Sequence, residues 1–224
     1  MSKILIVGGS KGIGKKIAEV LHNKECIIFS RNDVDSVNNN HHYYNLDIND
    51  YNFPEIDELN SIIYCPGTIN LKPFRSLKEE DFMNDFKVNF MGAVKVIKHY
   101  QKILSKSPNA SIILFSTVAV QQGMSFHASI ASAKGALEGL TKSLAAEFAG
   151  KIRVNCIAPT LTNTPLAEGI LRNDDAIERS NARHPSKRIN NVDDVANTAV
   201  FLLENNNITG QIIGVDGGLS TLKV

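Results

Sequence analysis

Ile4-Leu5-Ile6-Val7-Gly8-Gly9-Ser10-Lys11-Gly12-Ile13-Gly14 opens with four aliphatic residues, halts at two glycines and then changes period. A short aliphatic run closed by glycine is the pattern of a strand buried on both faces. From Ile13 the apolar residues Ile17, Val20 and Leu21 follow at i+4, i+7 and i+8, the stripe of an amphipathic helix. A glycine-rich turn therefore hands strand to helix. Gly8 permits the tight turn, Gly12 lets backbone approach a phosphate, and Gly14 permits close packing of helix on strand. Free N–H groups and the positive dipole at the helix start favour an anion, so the turn predicts a pyrophosphate site. An overlapping frame, Gly9 followed by Gly14-Lys15-Lys16, puts Lys16 where a triphosphate loop needs Ser or Thr for Mg²⁺, which argues against that alternative.

The alternation of short strands and helices runs to the end of the chain. Strands are predicted at Cys26–Phe29, Tyr43–Leu46, Ile62–Cys65, Ser111–Phe115, Ile152–Ile157 and Gln211–Val215, and helices at Glu79–Leu104, Ala128–Phe148 and Val192–Leu203. Such alternation requires parallel crossovers with helices on both faces of the sheet. The fold class is α/β, a doubly wound parallel β-sheet in one domain spanning residues 1–224. Between Asp47 and Cys65 the chain is short for a full helix and Pro54 would interrupt one, so that connection is predicted to be truncated. Pro159–His184 is the one long, weakly patterned insertion, and is predicted to act as a lid.

Composition narrows the function. With 24 Lys+Arg against 23 Asp+Glu, the net charge of +1 provides no field to gather polyanions, and no nucleic-acid partner is expected. No apolar run approaches the ~18 residues of a membrane span. Cys26, Cys65 and Cys156 lack CxxC spacing and cannot all pair, which fits reduced thiols in a cytoplasmic protein. The six histidines show no zinc spacing, so no metal is expected.

Gly8-x3-Gly12-x-Gly14 resembles the glycine fingerprint of the short-chain dehydrogenase/reductases, and the resemblance extends over nearly the whole chain. Asp47-Ile48 is similar to the family's acidic-hydrophobic pair beside adenine, and Asn89-Phe90-Met91-Gly92 to its mid-helix Asn-x-x-Gly. Ser116 resembles its catalytic serine and Lys134, in Ala133-Lys134-Gly135-Ala136-Leu137, its catalytic lysine. Thr164 falls at the threonine that meets the nicotinamide amide, and Ile208–Gly218 is similar to the C-terminal signature. Of the family's Asn-Asn-Ala-Gly, only Gly67 is kept in Tyr64-Cys65-Pro66-Gly67. The resemblance implies a Rossmann domain in which Gly8, Ser10, Lys11, Gly12, Ile13, Gly14, Arg31, Asp47, Ile48, Gly67, Lys134 and Thr164 hold a nicotinamide dinucleotide. It assigns catalysis on a small-molecule substrate to Asn89, Ser116 and Lys134. It further implies a homodimer or homotetramer built partly on Glu79–Leu104 and Ala128–Phe148.

Cofactor choice turns on the end of the second strand. NAD specificity rests there on an acidic residue that accepts from the ribose 2′-OH. This chain reads Phe29-Ser30-Arg31-Asn32, with Asp33 further into the loop. Arg31 and Lys11 suit a 2′-phosphate, so NADP (NADPH) is expected rather than NAD.

The family's proton exchanger is a tyrosine four residues before the lysine, its phenol tuned by the ammonium. Counting back from Lys134 reaches Ile130, and all five tyrosines (Tyr43, Tyr44, Tyr51, Tyr64, Tyr100) lie outside His127–Lys134. His127, one turn before Ile130, is a candidate substitute, as is water; Ser129 and Ser132 are weaker acids. The expected activity is NADP(H)-dependent hydride transfer to or from a carbonyl or secondary alcohol with an altered proton donor. The alternative is a nucleotide-binding sensor or scaffold of the same fold, and a third reading is elimination or isomerisation beside a bound nicotinamide. The substrate would be set by Gln121–Phe126 and Thr160–His184.

Overall fold

The strands β1 (Lys3–Val7), β2 (Glu25–Ser30), β3 (His41–Asn45), β4 (Ser61–Tyr64), β5 (Ala110–Phe115), β6 (Ile152–Pro159) and β7 (Ile212–Val215) pair in parallel as one sheet. Their order is β3-β2-β1-β4-β5-β6-β7. The structure, a computed structural model, describes residues 3–32, 39–48 and 52–223. Asp33 and Tyr51 lie outside the described residues.

Period-2 alternation in β1 divides its side chains between two cores. Leu5 and Val7 join Phe29, Ile62 and Tyr64 on the face covered by α3 (Gly92–Leu104) and α5 (Ala128–Glu147). Ile4 and Ile6 join Ile28 and Ile63 on the other, under α1 (Gly12–Val20) and α7 (Val192–Glu204). Helices on both faces explain why the central strands read as unbroken aliphatic runs. The strand order reverses between β1 and β4, and the crevice beyond the carboxyl ends of strands at such a switch point is where these folds bind ligands.

Three departures from the sequence pattern have physical causes. β3 begins at His41, two residues before the predicted Tyr43, because pairing of His41 with Cys26 sets its register; as an edge strand it carries polar residues. The predicted helix Glu79–Leu104 is α2 (Glu79–Phe86), a π turn (Lys87–Met91) and α3. Tyr64 Oη donates to the Val88 carbonyl at 2.6 Å and Asn89 Nδ2 to the Asp85 carbonyl at 2.7 Å, so side chains satisfy the widened turn. Pro159–His184, weakly patterned in sequence, contains α6 (Asp174–Ala182), whose buried surface is confined to Ala176 and whose start is capped by Asn173. Between Phe53 and Asn60 there is no helix; Phe53, Ile56 and Leu59 fill the core directly.

Candidate active site

The glycine turn between β1 and α1 is bare of side chains where a ligand would lie. Gly8 (φ +79°) and Gly12 (φ +53°) occupy the left-handed region that favours glycine, and a Cβ on Gly14 would overlap the Gly8 carbonyl. No side chain caps the start of α1, which leaves its N–H groups for an anion. The turn borders a cavity of about 420 Å³. Gly8, Ser10, Lys11, Gly12, Ile13 and Gly14 line one side. Arg31, Asp47 and Ile48 line the end beyond β2 and β3, and Gly67 and Thr164 the opposite end. Every residue expected to hold the dinucleotide is thus in one wall, apart from Lys134. Exposed Lys11 and Arg31 share that cavity. The residues present fit a dinucleotide: a bare glycine cradle at its centre and cations at one end.

A second cavity of about 270 Å³ continues from the first, with Ile13, Cys65, Gly67, Thr164 and Leu166 common to both. Ile69, Leu71, Met124 and Ile170 make much of its wall apolar. Lys134 reaches it from α5, with Ile130 one turn earlier on the same face. The Lys134 Nζ donates to the Phe115 carbonyl at 2.8 Å. Burial pulls Lys134 down to about 8, opposed by the charges of Cys156, Cys65 and Asp85. Loss of water pushes the Cys156 and Cys65 thiols up to about 12.

The other expected catalytic side chains are placed differently from one another. Asn89 is fully buried, its Nδ2 donating to Thr68 Oγ1 at 2.8 Å and to the Asp85 carbonyl. It does not line the cavity, but its Oδ1 and Lys134 Nζ flank the same Gly67: a Cβ there would lie 3.3 Å from one and 3.4 Å from the other. The Ser116 hydroxyl donates to Glu138 Oε1 at 2.6 Å, toward α5. Ser116 and its neighbour Thr117 both line the cavity, with Thr117 Oγ1 accepting the Ala119 N–H at 3.3 Å. His127 lines the cavity, and its Nδ1–H donates to the Ser125 carbonyl at 2.8 Å, leaving Nε2 an acceptor in the neutral ring. Ser132 donates back to the Ala128 carbonyl. Thr68, Asp85, Thr117 and Glu138 escaped the sequence reading; an acidic residue four before Asn89, on its helical face, is the one signal that pointed to them.

The predicted lid is tied to the sheet. His184 Nδ1–H donates to the Ser180 carbonyl at 2.7 Å, so Nε2 accepts the Thr160 hydroxyl at 2.8 Å, joining α6 to the end of β6. Leu166, Ile170 and Arg183 from this segment line the second cavity.

The family model described as enoyl-(acyl carrier protein) reductase matches residues 51–220. A short-chain type dehydrogenase/reductase from Mycobacterium ulcerans superposes with a TM-score of 0.87 at 25% identity, covering 98% of this chain and 90% of that one. The chain belongs to the short-chain dehydrogenase/reductase family. Another relative is carbonyl reductase family member 4 of Xenopus laevis, 30% identical over 238 residues and covering 98% of each chain. A further family fold, the solved structure of ElxO with NADP bound, matches with a TM-score of 0.89 at 27% identity over 99% of both chains. In this short-chain dehydrogenase/reductase, no group of three or more His, Cys, Asp or Glu among the described residues is placed to hold a metal. No described helix is long and apolar enough to cross a membrane.

Proposed function

We propose that this short-chain dehydrogenase/reductase is an NADP(H)-dependent oxidoreductase that converts between a carbonyl and a secondary alcohol. The observation that carries the reading is the continuity of the two cavities: the glycine cradle with Lys11 and Arg31 runs directly into the apolar space holding Lys134. The bound dinucleotide supplies or accepts the hydride. Backbone N–H groups at the start of α1 hold the pyrophosphate, and Arg31 with Lys11 binds a 2′-phosphate. NADP bound to the related ElxO supports this choice.

Lys134 holds ribose hydroxyls and places an ammonium beside the reacting oxygen. Thr117 is assigned the hydrogen bond to that oxygen, because the Ser116 proton is directed to Glu138. Ile130 stands where the family uses tyrosine and has no proton to exchange, so another group must do so. The apolar wall favours a small carbonyl compound with a hydrocarbon body. Assembly as a homodimer or homotetramer follows the family pattern, and the free thiols of Cys26, Cys65 and Cys156 support a reducing, cytoplasmic setting.

Fluorescence titration with NADPH and NADH, followed by a panel of carbonyl compounds, tests the reading. NADPH is expected to bind more tightly and to be oxidised with at least one carbonyl. Equal or tighter NADH binding would remove the Arg31 assignment. Tight NADPH binding without oxidation across the panel would favour a nucleotide sensor or scaffold.

A further inference from the structure

Asp85 is 2% exposed, and its two carboxylate oxygens are treated unequally. Oδ1 accepts the Thr68 hydroxyl at 2.5 Å, whereas Oδ2 is buried with no hydrogen-bond partner. A buried carboxylate oxygen left unsatisfied calls for an explanation beyond packing. Thr68 in turn lines the substrate cavity with Lys134 and Ile130. Its Oγ1 accepts from Asn89 Nδ2 at 2.8 Å, and its backbone N–H donates to Asn89 Oδ1 at 3.4 Å.

A hydroxyl has one proton to give and two lone pairs to fill. With Asp85 ionised, the Thr68 proton points at Asp85. With Asp85 in its acid form, the Asp85 proton and the Asn89 amide occupy both lone pairs, and the Thr68 proton is left to point into the cavity. Protonation of Asp85 therefore converts Thr68 into a donor toward the substrate. The Asn89 amide holds this geometry from the π turn.

We propose that Thr68 is the catalytic hydroxyl that exchanges the proton of the substrate oxygen, with Asp85 as the positioning residue behind it that returns and collects that proton. This rests on the redox reading above. In reduction the carbonyl carbon gains a hydride from the reduced nicotinamide cofactor and its oxygen becomes an alkoxide. The alkoxide takes the Thr68 proton as the Asp85 O–H bond breaks and a new Thr68 O–H bond forms. Asp85 is left as the carboxylate and takes a proton from water before the next turnover, so one hydride and one proton are added to the substrate. Oxidation runs the same transfers in reverse. The pair supplies what Ile130 cannot. The ionisable groups facing the cluster are Lys134 from α5, Cys65 after β4 and Cys156 on β6; Glu138, one turn beyond Lys134, is turned to Ser116.

The test uses the full chain with Thr68→Val, Thr68→Ser and Asp85→Asn. Asp85→Asn is expected to lower kcat by about 10²-fold or more, with NADPH affinity little changed. Thr68→Val is expected to lose as much, and Thr68→Ser to recover most of it. In the cofactor-free protein, Asp85→Asn removes one of the neighbours that raise Lys134 and is expected to move the Lys134-dependent limb of the thermal midpoint to lower pH. An active wild type whose rate survives Thr68→Val and Asp85→Asn would overturn the relay alone. Equal losses in Thr68→Ser and Thr68→Val, or an unmoved limb in the cofactor-free protein, would do the same. A wild type that binds NADPH yet reduces no carbonyl overturns the relay and the redox reading together.

Discussion

The Ser116 hydroxyl donates to Glu138 Oε1 at 2.6 Å, so of the two residues after β5 that line the cavity, Ser116 and Thr117, the first has its proton committed to helix α5. Thr117→Val is therefore expected to lower kcat by about 10²-fold, the effect of removing one donor to a developing oxyanion. Ser116→Ala is expected to act on stability instead, costing about 1 kcal/mol by leaving Glu138 without its donor. Steady-state kinetics and thermal melting on both variants separate the two roles.

Burial of Lys134 has a sign that can be measured. Its value in the folded protein, about 8, lies below the ordinary 10.5, so folding carries a cost that is fully present below pH 8 and is relieved as pH rises from 8 to 10.5. Lys134→Met is expected to abolish turnover yet raise stability at neutral pH by up to about 3 kcal/mol. The gain should shrink across that window. It is read as the difference between variant and wild type, because Cys26, Cys65 and Cys156, held at about 12, withdraw stability from both proteins above about pH 9.

Gly92 is fixed by Tyr64 rather than by a turn. A methyl group at Gly92 would overlap the Tyr64 hydroxyl and lie 2.6 Å from Ile48 Cδ1. Gly92→Ala is expected to destabilise by about 1–3 kcal/mol through overpacking. Tyr64→Phe in the same chain should recover part of that loss while forfeiting the bond to the Val88 carbonyl, a coupling that urea denaturation of the double-mutant cycle will read.

Arg31→Asp should reverse the cofactor preference. Loss of a charge-assisted bond to a 2′-phosphate is expected to weaken NADPH binding by about 10- to 100-fold, while the new carboxylate accepts from a ribose 2′-OH and strengthens NADH. Titration of cofactor fluorescence checks both directions.

Ile130→Tyr places a phenol one turn before Lys134 in the wall of the cavity. The variant is expected to raise kcat by about 10²-fold or more, with the gain rising toward alkaline pH in the oxidative direction. In that background Thr68→Val should no longer slow the reaction, since the proton has a shorter route. Initial rates in both directions across pH provide the check.

The glycine turn was legible because its signal is local: strand, glycines and helix are contiguous, and Gly14 packs against the Gly8 carbonyl. Apart from Lys134, the residues named for the dinucleotide cleft line one cavity, since they sit in the glycine turn or beyond the ends of strands whose pattern is readable. The polar helix α6 was not legible, because burial of Ala176 alone leaves no apolar stripe. Nor was the π turn, which depends on two side chains that reach in, Tyr64 from β4 and Asn89 from the turn itself. The bond from Ser116 to Glu138 escaped because its acceptor lies on α5, 22 residues further along the chain.

Taken alone, the order of residues determined a doubly wound sheet, a cradle for a dinucleotide and the absence of a phenol before Lys134. Those features depend on periodicity and on backbone freedom, which neighbouring residues settle. Which side chains gather around Lys134 was decided only in three dimensions. Asp85, Thr68, Asn89 and Lys134 come from α2, the loop after β4, the π turn and α5, and burial there pulls Lys134 down. Hydrogen-bond direction and local water exclusion arise when those elements pack.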